Sequence, residues 1–296
     1  TCAYTLMHSG ILSEIVLLDA NAKKAEGEAM DLNHALPFLS PMRICAGTYE
    51  DLADCGIIII AAGAGQAKGE TRIDLLKKNR AILRTILDSI KPVNTEAILL
   101  LVSNPVDILT YIALDLSGFD PHRVIGSGTV LDTARLKFLV GRMLQVDSRN
   151  VHTFIIGEHG DSELAAWSSA TVSGVPINTF CEMRGHFNHD EATERIAENV
   201  KNSAYEIIAK KKATYFGVAM AVRRICEAII RDEKSILPVS NLMHGEFGIS
   251  DISLSMPAIV GAHGVENRIP ITLDEEETEK LQSSAGTLKK IIEEVL

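Results

Sequence analysis

Gly56-Ile57-Ile58-Ile59-Ile60-Ala61-Ala62-Gly63-Ala64-Gly65 decides the fold class. Four consecutive isoleucines favour an extended strand and leave it no polar face. A strand that is apolar on both sides needs cover on both sides, the condition of a parallel sheet flanked by helices. The glycines that follow let backbone approach a ligand at the strand's carboxyl end.

The same pattern recurs outward from this run. Ile15-Val16-Leu17-Leu18 reads as a buried strand ending in Asp19, and residues 42–45 read as another. Residues 97–102 form a continuous apolar strand closed by Ser103-Asn104-Pro105, with Pro105 suited to the first turn of the next helix and Asn104 to its cap. Residues 123–125 make a short strand before Gly126-Ser127-Gly128. Helical stretches alternate with these: residues 21–36, stopped by Pro37, and an amphipathic helix carrying Ile73, Leu76, Leu83, Leu87 and Ile90. Strand and helix in alternation imply a doubly wound parallel sheet. Beyond residue 151 the texture changes to short β segments, a long helical region over residues 190–231, strand-like pieces over 236–260 and a terminal helix from Glu275. That half reads as a mixed α+β part, packed with the first into one body. The expected division is 1–126 and 127–296.

Composition narrows the function classes. The chain has 296 residues, 46% hydrophobic and 23% charged, the balance of an ordinary globular protein. A net charge of -10 with no basic stripe argues against a nucleic-acid binder. The apolar runs are too short to span a bilayer and no signal peptide is visible, so a soluble, cytoplasmic protein is expected. Five cysteines without C-x-x-C spacing read as idle thiols in a reducing compartment. His186 and His189 lack cysteine or carboxylate support and read as residues of a solvated loop, so no metal site is expected.

The chemistry concentrates in Ile155-Ile156-Gly157-Glu158-His159-Gly160-Asp161-Ser162. A strand end runs into a glycine turn and presents an imidazole, the side chain suited to moving protons near neutral pH. Asp132 and Arg135, three apart on a helix, share one face. Asp19, at the end of a second strand, stands where a dinucleotide-binding fold holds the adenosine ribose. The glycine fingerprint G-x-G-x-x-G should lie about 20 residues earlier, and it occurs nowhere in the chain. The sequence is therefore expected to begin inside the helix that follows the phosphate loop, without the first strand and its glycine turn. Gln66-Ala67-Lys68-Gly69-Glu70-Thr71-Arg72 has the composition of a mobile lid.

Together these motifs resemble the L-lactate/L-malate dehydrogenase family, bacterial type, over nearly the whole chain. The resemblance rests on Gly63-Ala64-Gly65-Gln66 through Gly69-Glu70-Thr71-Arg72, on Ser103-Asn104-Pro105-Val106-Asp107 and on Gly126-Ser127-Gly128-Thr129. Leu131-Asp132-Thr133-Ala134-Arg135, Gly157-Glu158-His159-Gly160-Asp161 and Ala213-Thr214-Tyr215 complete it. It implies a Rossmann-like domain, here without its N-terminal strand, followed by a catalytic domain. It also implies NAD as cofactor and a homotetramer acting in glycolysis and fermentation.

By the same resemblance, His159 exchanges the proton of a 2-oxo/2-hydroxy acid and Asp132 orients it. Arg135 grips the substrate carboxylate with paired hydrogen bonds. Arg72, brought in by loop closure, stabilises charge on the carbonyl oxygen, which Asn104 also contacts. Thr214 lines the pocket. Gln66 stands where malate enzymes carry arginine, so a second carboxylate would be left unpaired and pyruvate is favoured. Asp19, Lys24, Tyr49, Gly63, Ala64, Val102, Ser103, Asn104 and Ser127 match the family's cofactor contacts, and Asp19 favours NAD over NADP. His152 matches a histidine that holds fructose 1,6-bisphosphate in activated bacterial members, with Lys137 where arginine is usual. The alternatives are a malate or branched 2-hydroxy acid substrate, or a non-enzymatic relative that lacks the cofactor loop.

Overall fold

The computed structural model describes residues 1–65, 69 and 71–295, with the backbone alone for Arg72 and Asp190. Helix α1 (Cys2–Met7) leads through a turn at Gly10 into β1 (Glu14–Leu17). Asn21 caps α2 (Ala22–Ala35) by accepting from the Lys24 N–H at 3.3 Å. A short 3-10 turn containing Pro37 stops that helix before β2 (Arg43–Ala46). The isoleucine run is β3 (Ile57–Ile60). Helix α3 (Arg72–Ile90) opens on a capping box, in which Thr71 Oγ1 accepts from Asp74 N while the Asp74 carboxylate accepts from Thr71 N. Then come β4 (Ile98–Leu101), α4 (Val106–Ser117), β5 (Val124–Gly126) and α5 (Val130–Leu144).

The second half begins with five two-residue strands: β6 (Val151–His152), β7 (Ile155–Ile156), β8 (Leu164–Ala165), β9 (Thr171–Val172) and β10 (Val175–Pro176). Three helices follow, α6 (Ile177–Met183), α7 (His189–Lys211) and α8 (Phe216–Ile230). The strands β11 (Ser235–His244), β12 (Ser250–Gly261) and β13 (Gly264–Arg268) precede the terminal α9 (Glu275–Val295).

β3, β4 and β5 pair in parallel, as the apolar runs require. β11 joins them antiparallel with Ser240 opposite Gly126, and β12 and β13 extend the sheet to six strands in the order β13-β12-β11-β5-β4-β3. The sheet is thus continuous across the two halves of the chain. β1 and β2 form a separate parallel pair. One face of the main sheet is covered by Leu83 and Leu87 of α3, Ile112 of α4 and Leu281 and Leu288 of α9. The other is covered by Leu6 of α1 and by Val222, Ile225 and Ile229 of α8. No helix of the described residues is long and apolar enough to cross a membrane.

Four local expectations need correction. β1, read as a buried strand, is only half-buried along Ile15, Val16 and Leu17. β4 is buried at every position, but β3 is sealed on one side only: Ile58 and Ile60 are buried while Ile57 and Ile59 are half-buried. Among the described residues β3 hydrogen-bonds to β4 alone, and helices cover an edge strand less completely. The helical region of residues 190–231 is two helices. Lys212, in the left-handed region at φ 73°, ends α7. The two serve different cores, Ile196 and Val200 packing beside α5 and Val222 and Ile225 against the sheet, which one straight helix could not do. Asn104 does not cap α4: Pro105 occupies the cap position and no side-chain cap is made.

Gly128 marks a tight turn of this framework. It lies at φ +51°, and an added Cβ would meet Ser240 N at 2.5 Å and Pro238 O at 2.8 Å, both backbone atoms that cannot yield. Gly128→Ala is expected to destabilise the protein by about 2 kcal/mol or more, read as a lowered denaturation midpoint at unchanged m-value.

Candidate active site

Several elements converge on one short loop. Thr129 Oγ1 donates to Ile155 O at 2.5 Å, and Ile155 N donates to Thr133 Oγ1 at 2.9 Å, which staples β7 to the first turn of α5. The chain then turns at Gly157, φ +88°, where paired backbone bonds to Ser255 of β12 hold it at 2.9 and 3.0 Å. Glu158 N donates to Ser284 Oγ of α9 at 3.2 Å. His159 N donates to Asp107 Oδ2 of α4 at 2.7 Å, and Asp107 Oδ1 accepts from Ser255 Oγ at 3.2 Å. The imidazole is therefore placed by its own backbone before its side chain meets a partner.

That partner is Asp132, whose side chain is 1% exposed. His159 Nδ1 lies 2.5 Å from Asp132 Oδ2, and Arg135 Nη1 donates to Asp132 Oδ1 at 2.6 Å. Both oxygens of a buried carboxylate are thus charge-paired, the arrangement that offsets its desolvation. Burial pushes the imidazole's pKa down, but the Asp132 hydrogen bond and charge, with Asp107 and Glu163 beyond, outweigh it and raise the pKa to about 9. The same bonds hold the Asp132 carboxyl below its ordinary value against the opposing effect of burial. Asp107, fully enclosed, is raised by burial to about 6, opposed in part by the His159 N–H. At neutral pH the arrangement presents an imidazolium with Nδ1 engaged and Nε2–H free to donate to a substrate.

At the carboxyl ends of the parallel strands, Asp19 is exposed and accepts from Asn21 N at 2.9 Å and Lys24 Nζ at 3.1 Å. Gly63 and Asn104 are exposed, Tyr49, Ala64, Val102 and Ser103 half-buried, and Ser127 buried. Asn79, buried on α3, braces two of these ends: its Oδ1 accepts from Ala64 N at 2.7 Å and its Nδ2 donates to Asn104 O at 3.2 Å.

Family models agree with this geometry along the chain. The lactate/malate dehydrogenase NAD binding domain matches residues 1–126 and the lactate/malate dehydrogenase alpha/beta C-terminal domain matches residues 129–296. The chain belongs to the lactate/malate dehydrogenase family. An L-lactate dehydrogenase of Acetivibrio thermocellus is 54% identical over 99% of this chain and 92% of its own. An L-lactate dehydrogenase 1 of Clostridium acetobutylicum is 49% identical over 99% and 93%. Among solved structures, a lactate dehydrogenase from a deep-sea metagenome superposes with a TM-score of 0.97 at 44% identity, covering 99% of this chain and 94% of that one. A minor L-lactate dehydrogenase from Enterococcus mundtii, in ligand-bound form, gives 0.96 at 41% identity, covering 100% and 94%.

The fold brings His159, Asp132 and Arg135 together. Asp132–Arg135 is a buried pair and not a surface one, and Arg135 spends one of its five donors on Asp132. Thr214 is half-buried in the turn between α7 and α8, three residues before Gly217, which packs on Leu131 at the start of α5. Gln66 and the side chain of Arg72 lie outside the described residues. Lys137 is half-buried on α5 and His152 exposed on β6; burial holds the Lys137 ammonium below its ordinary pKa. His189 departs from expectation: it begins α7, half-buried and 3.8 Å from Glu182, while His186 is exposed in the preceding loop.

The residues present fit NAD at its adenosine side, where Asp19 offers an exposed carboxylate at a strand end. They also fit along β3 and β4, where Gly63, Ala64 and Ser103 leave backbone accessible. Sequence reasoning missed three residues, Asp107, Asn79 and Glu163. Asp107 is legible in retrospect as a carboxylate set inside the apolar run Val106-Asp107-Ile108-Leu109, since a charge there needs a buried partner.

An NMR titration of the His159 ring should give a midpoint near 9. Asp132→Asn removes the largest raising influence and leaves burial opposed only by Asp107 and Glu163, so its midpoint should fall well below 9. Because the folded value exceeds the unfolded one, the stability from this group is full below about 6.5 and is lost as pH rises through about 9, which chemical denaturation across that window will read.

Proposed function

We propose that this chain is an NAD-dependent L-lactate dehydrogenase, interconverting pyruvate and L-lactate with His159 as the proton-transfer group. The observation that carries the assignment of roles is the buried Asp132 carboxylate bonded at once to His159 and Arg135. It ties a proton donor and a carboxylate-binding cation to one rigid anchor, which suits a substrate that presents a carbonyl beside a carboxylate.

NAD, when bound, supplies the hydride acceptor or donor. Asp19, Lys24, Tyr49, Gly63, Ala64, Val102, Ser103, Asn104 and Ser127 would hold it. His159 donates its Nε2 proton to the carbonyl oxygen during reduction and takes it back during oxidation. Asp132 keeps the proton on Nδ1 and stabilises the charged ring. Arg135 receives the substrate carboxylate, and Arg72 stabilises the developing alkoxide, a role whose loss typically costs ~10²–10³ in rate. Asn104 contacts the same oxygen and Thr214 bounds the pocket. Gln66, uncharged, suits the methyl group of pyruvate and leaves a second carboxylate without a partner.

The wider organisation belongs to the same proposal. Residues 1–126 bind the dinucleotide and residues 127–296 carry the catalytic groups. The chain acts in the cytoplasm as a homotetramer. Phe38, Phe187 and Phe216, 86%, 73% and 66% exposed, support subunit contacts that would cover them. Fructose 1,6-bisphosphate acts through Lys137 and His152, with lysine giving a point charge in place of a bidentate grip.

NADH oxidation with pyruvate, oxaloacetate and 2-oxoisocaproate tests the reading. Pyruvate should give the highest kcat/KM, and Gln66→Arg should move the preference toward oxaloacetate by at least tenfold. A protein that binds NADH yet turns over none of the three would sink the assignment. Sedimentation velocity reads the tetramer, and a sugar-bisphosphate titration that leaves the pyruvate half-saturation unchanged removes the regulatory part.

A further inference from the structure

Glu163 stands beside the Asp132–His159 pair, and that mechanism gives it no task. It precedes β8, is 4% exposed, and its Oε1 accepts no hydrogen bond among the described residues. Its backbone N–H donates to Gly160 O at 3.2 Å, so its place relative to the His159 loop is set by a tight turn. One side-chain ligand atom each from Asp132, His159 and Glu163 lie within 4.8 Å of one another. A buried, under-bonded carboxyl beside a reactive ring is costly, and its presence calls for an account.

We propose that Glu163 is a positioning residue for the reactive imidazole: a second buried carboxyl beside the ring, whose negative charge, once formed as solution turns alkaline, keeps the imidazolium charged. The inference rests on the lactate dehydrogenase reading for its consequence in catalysis, though not for the titration itself. The charges facing Glu163 are Asp132 and Arg135 from α5, His159 from its loop and Lys201 from α7, with Asp107 and Glu158 acting on His159's surroundings. Burial and the Asp132 charge favour the neutral acid, the three cations oppose them, and the carboxyl is raised to about 8.

The charge count follows. With Glu163 protonated, Asp132, His159 and Arg135 sum to one positive charge, which a monocarboxylate substrate neutralises. When Glu163 ionises, its proton goes to solvent and a carboxylate appears within Coulombic reach of the ring. Removing the ring's own proton then means separating it from two carboxylates instead of one. The second carboxylate therefore holds the catalytic proton on the ring to a higher pH than Asp132 alone would.

Glu163→Gln keeps the shape and removes the ionisation. The alkaline limb of kcat/KM for pyruvate reduction should move down by about one pH unit in this variant. A purely structural role would change stability and leave that limb in place, so superimposable limbs overturn the proposal. Infrared difference spectroscopy on the wild-type protein without substrate reads Glu163 directly and does not depend on the variant folding. A protonated carboxyl present at pH 7 should vanish with a midpoint near 8, apart from Asp107, which titrates near 6. The absence of any carboxyl titrating above pH 7 overturns the proposal. Failure of the wild type to reduce any 2-oxo acid would instead overturn the lactate reading, and the infrared titration stands apart from that result.

Discussion

The site depends on a single buried negative charge. Asp132 sits 1% exposed at the first turn of α5, and a carboxylate there is tolerable only while both oxygens are engaged by cations. That requirement fixes Arg135 one turn along the same helix and draws His159 in from a loop 27 residues further on. Whatever holds α5 against β7 therefore holds the chemistry. The two threonine bonds to Ile155 do this with side chains that need no charge.

The imidazole would still be free to wander if Asp132 were its only restraint. Its backbone is caught on separate sides by β12 through Ser255, by α9 through Ser284 and by α4 through Asp107. These anchors belong to elements that pack on the main sheet, so the loop inherits the sheet's rigidity. Because β11 pairs with β5 at Gly126, that sheet runs unbroken from the parallel strands β3 to β5 to the strands carrying the histidine's supports. Asn79 plays the corresponding part on the other side, tying the ends of β3 and β4 with one amide. Positioning of this kind, by groups locked in place beforehand, is what lets a few polar side chains act in concert.

Much of this was readable from the chain alone. The uninterrupted isoleucines and leucines of β3 and β4 and the stop at Pro37 are local signals whose physics does not depend on distant partners. So are the motif residues His159, Asp132 and Arg135. What misled was also local. A helical pattern continues through 212–215 because each half is amphipathic by itself, and only the two different cores show why it breaks. Asn104 has the composition of a helix cap, yet its exposed position at a strand end leaves the helix to begin from Pro105.

By itself, then, the sequence determined the alternation of strand and helix and the family, since these follow from periodicity, turn chemistry and short motifs. Only the tertiary structure decided that Asp132 is buried and not on the surface, that Asp107 holds the histidine's backbone, that Asn79 braces two strand ends and that Glu163 stands beside the reactive ring. Burial and long-range hydrogen bonds join residues from 25 to more than 120 positions apart. No local pattern encodes such meetings, because the desolvation that shifts a pKa exists only once the chain has closed around the group.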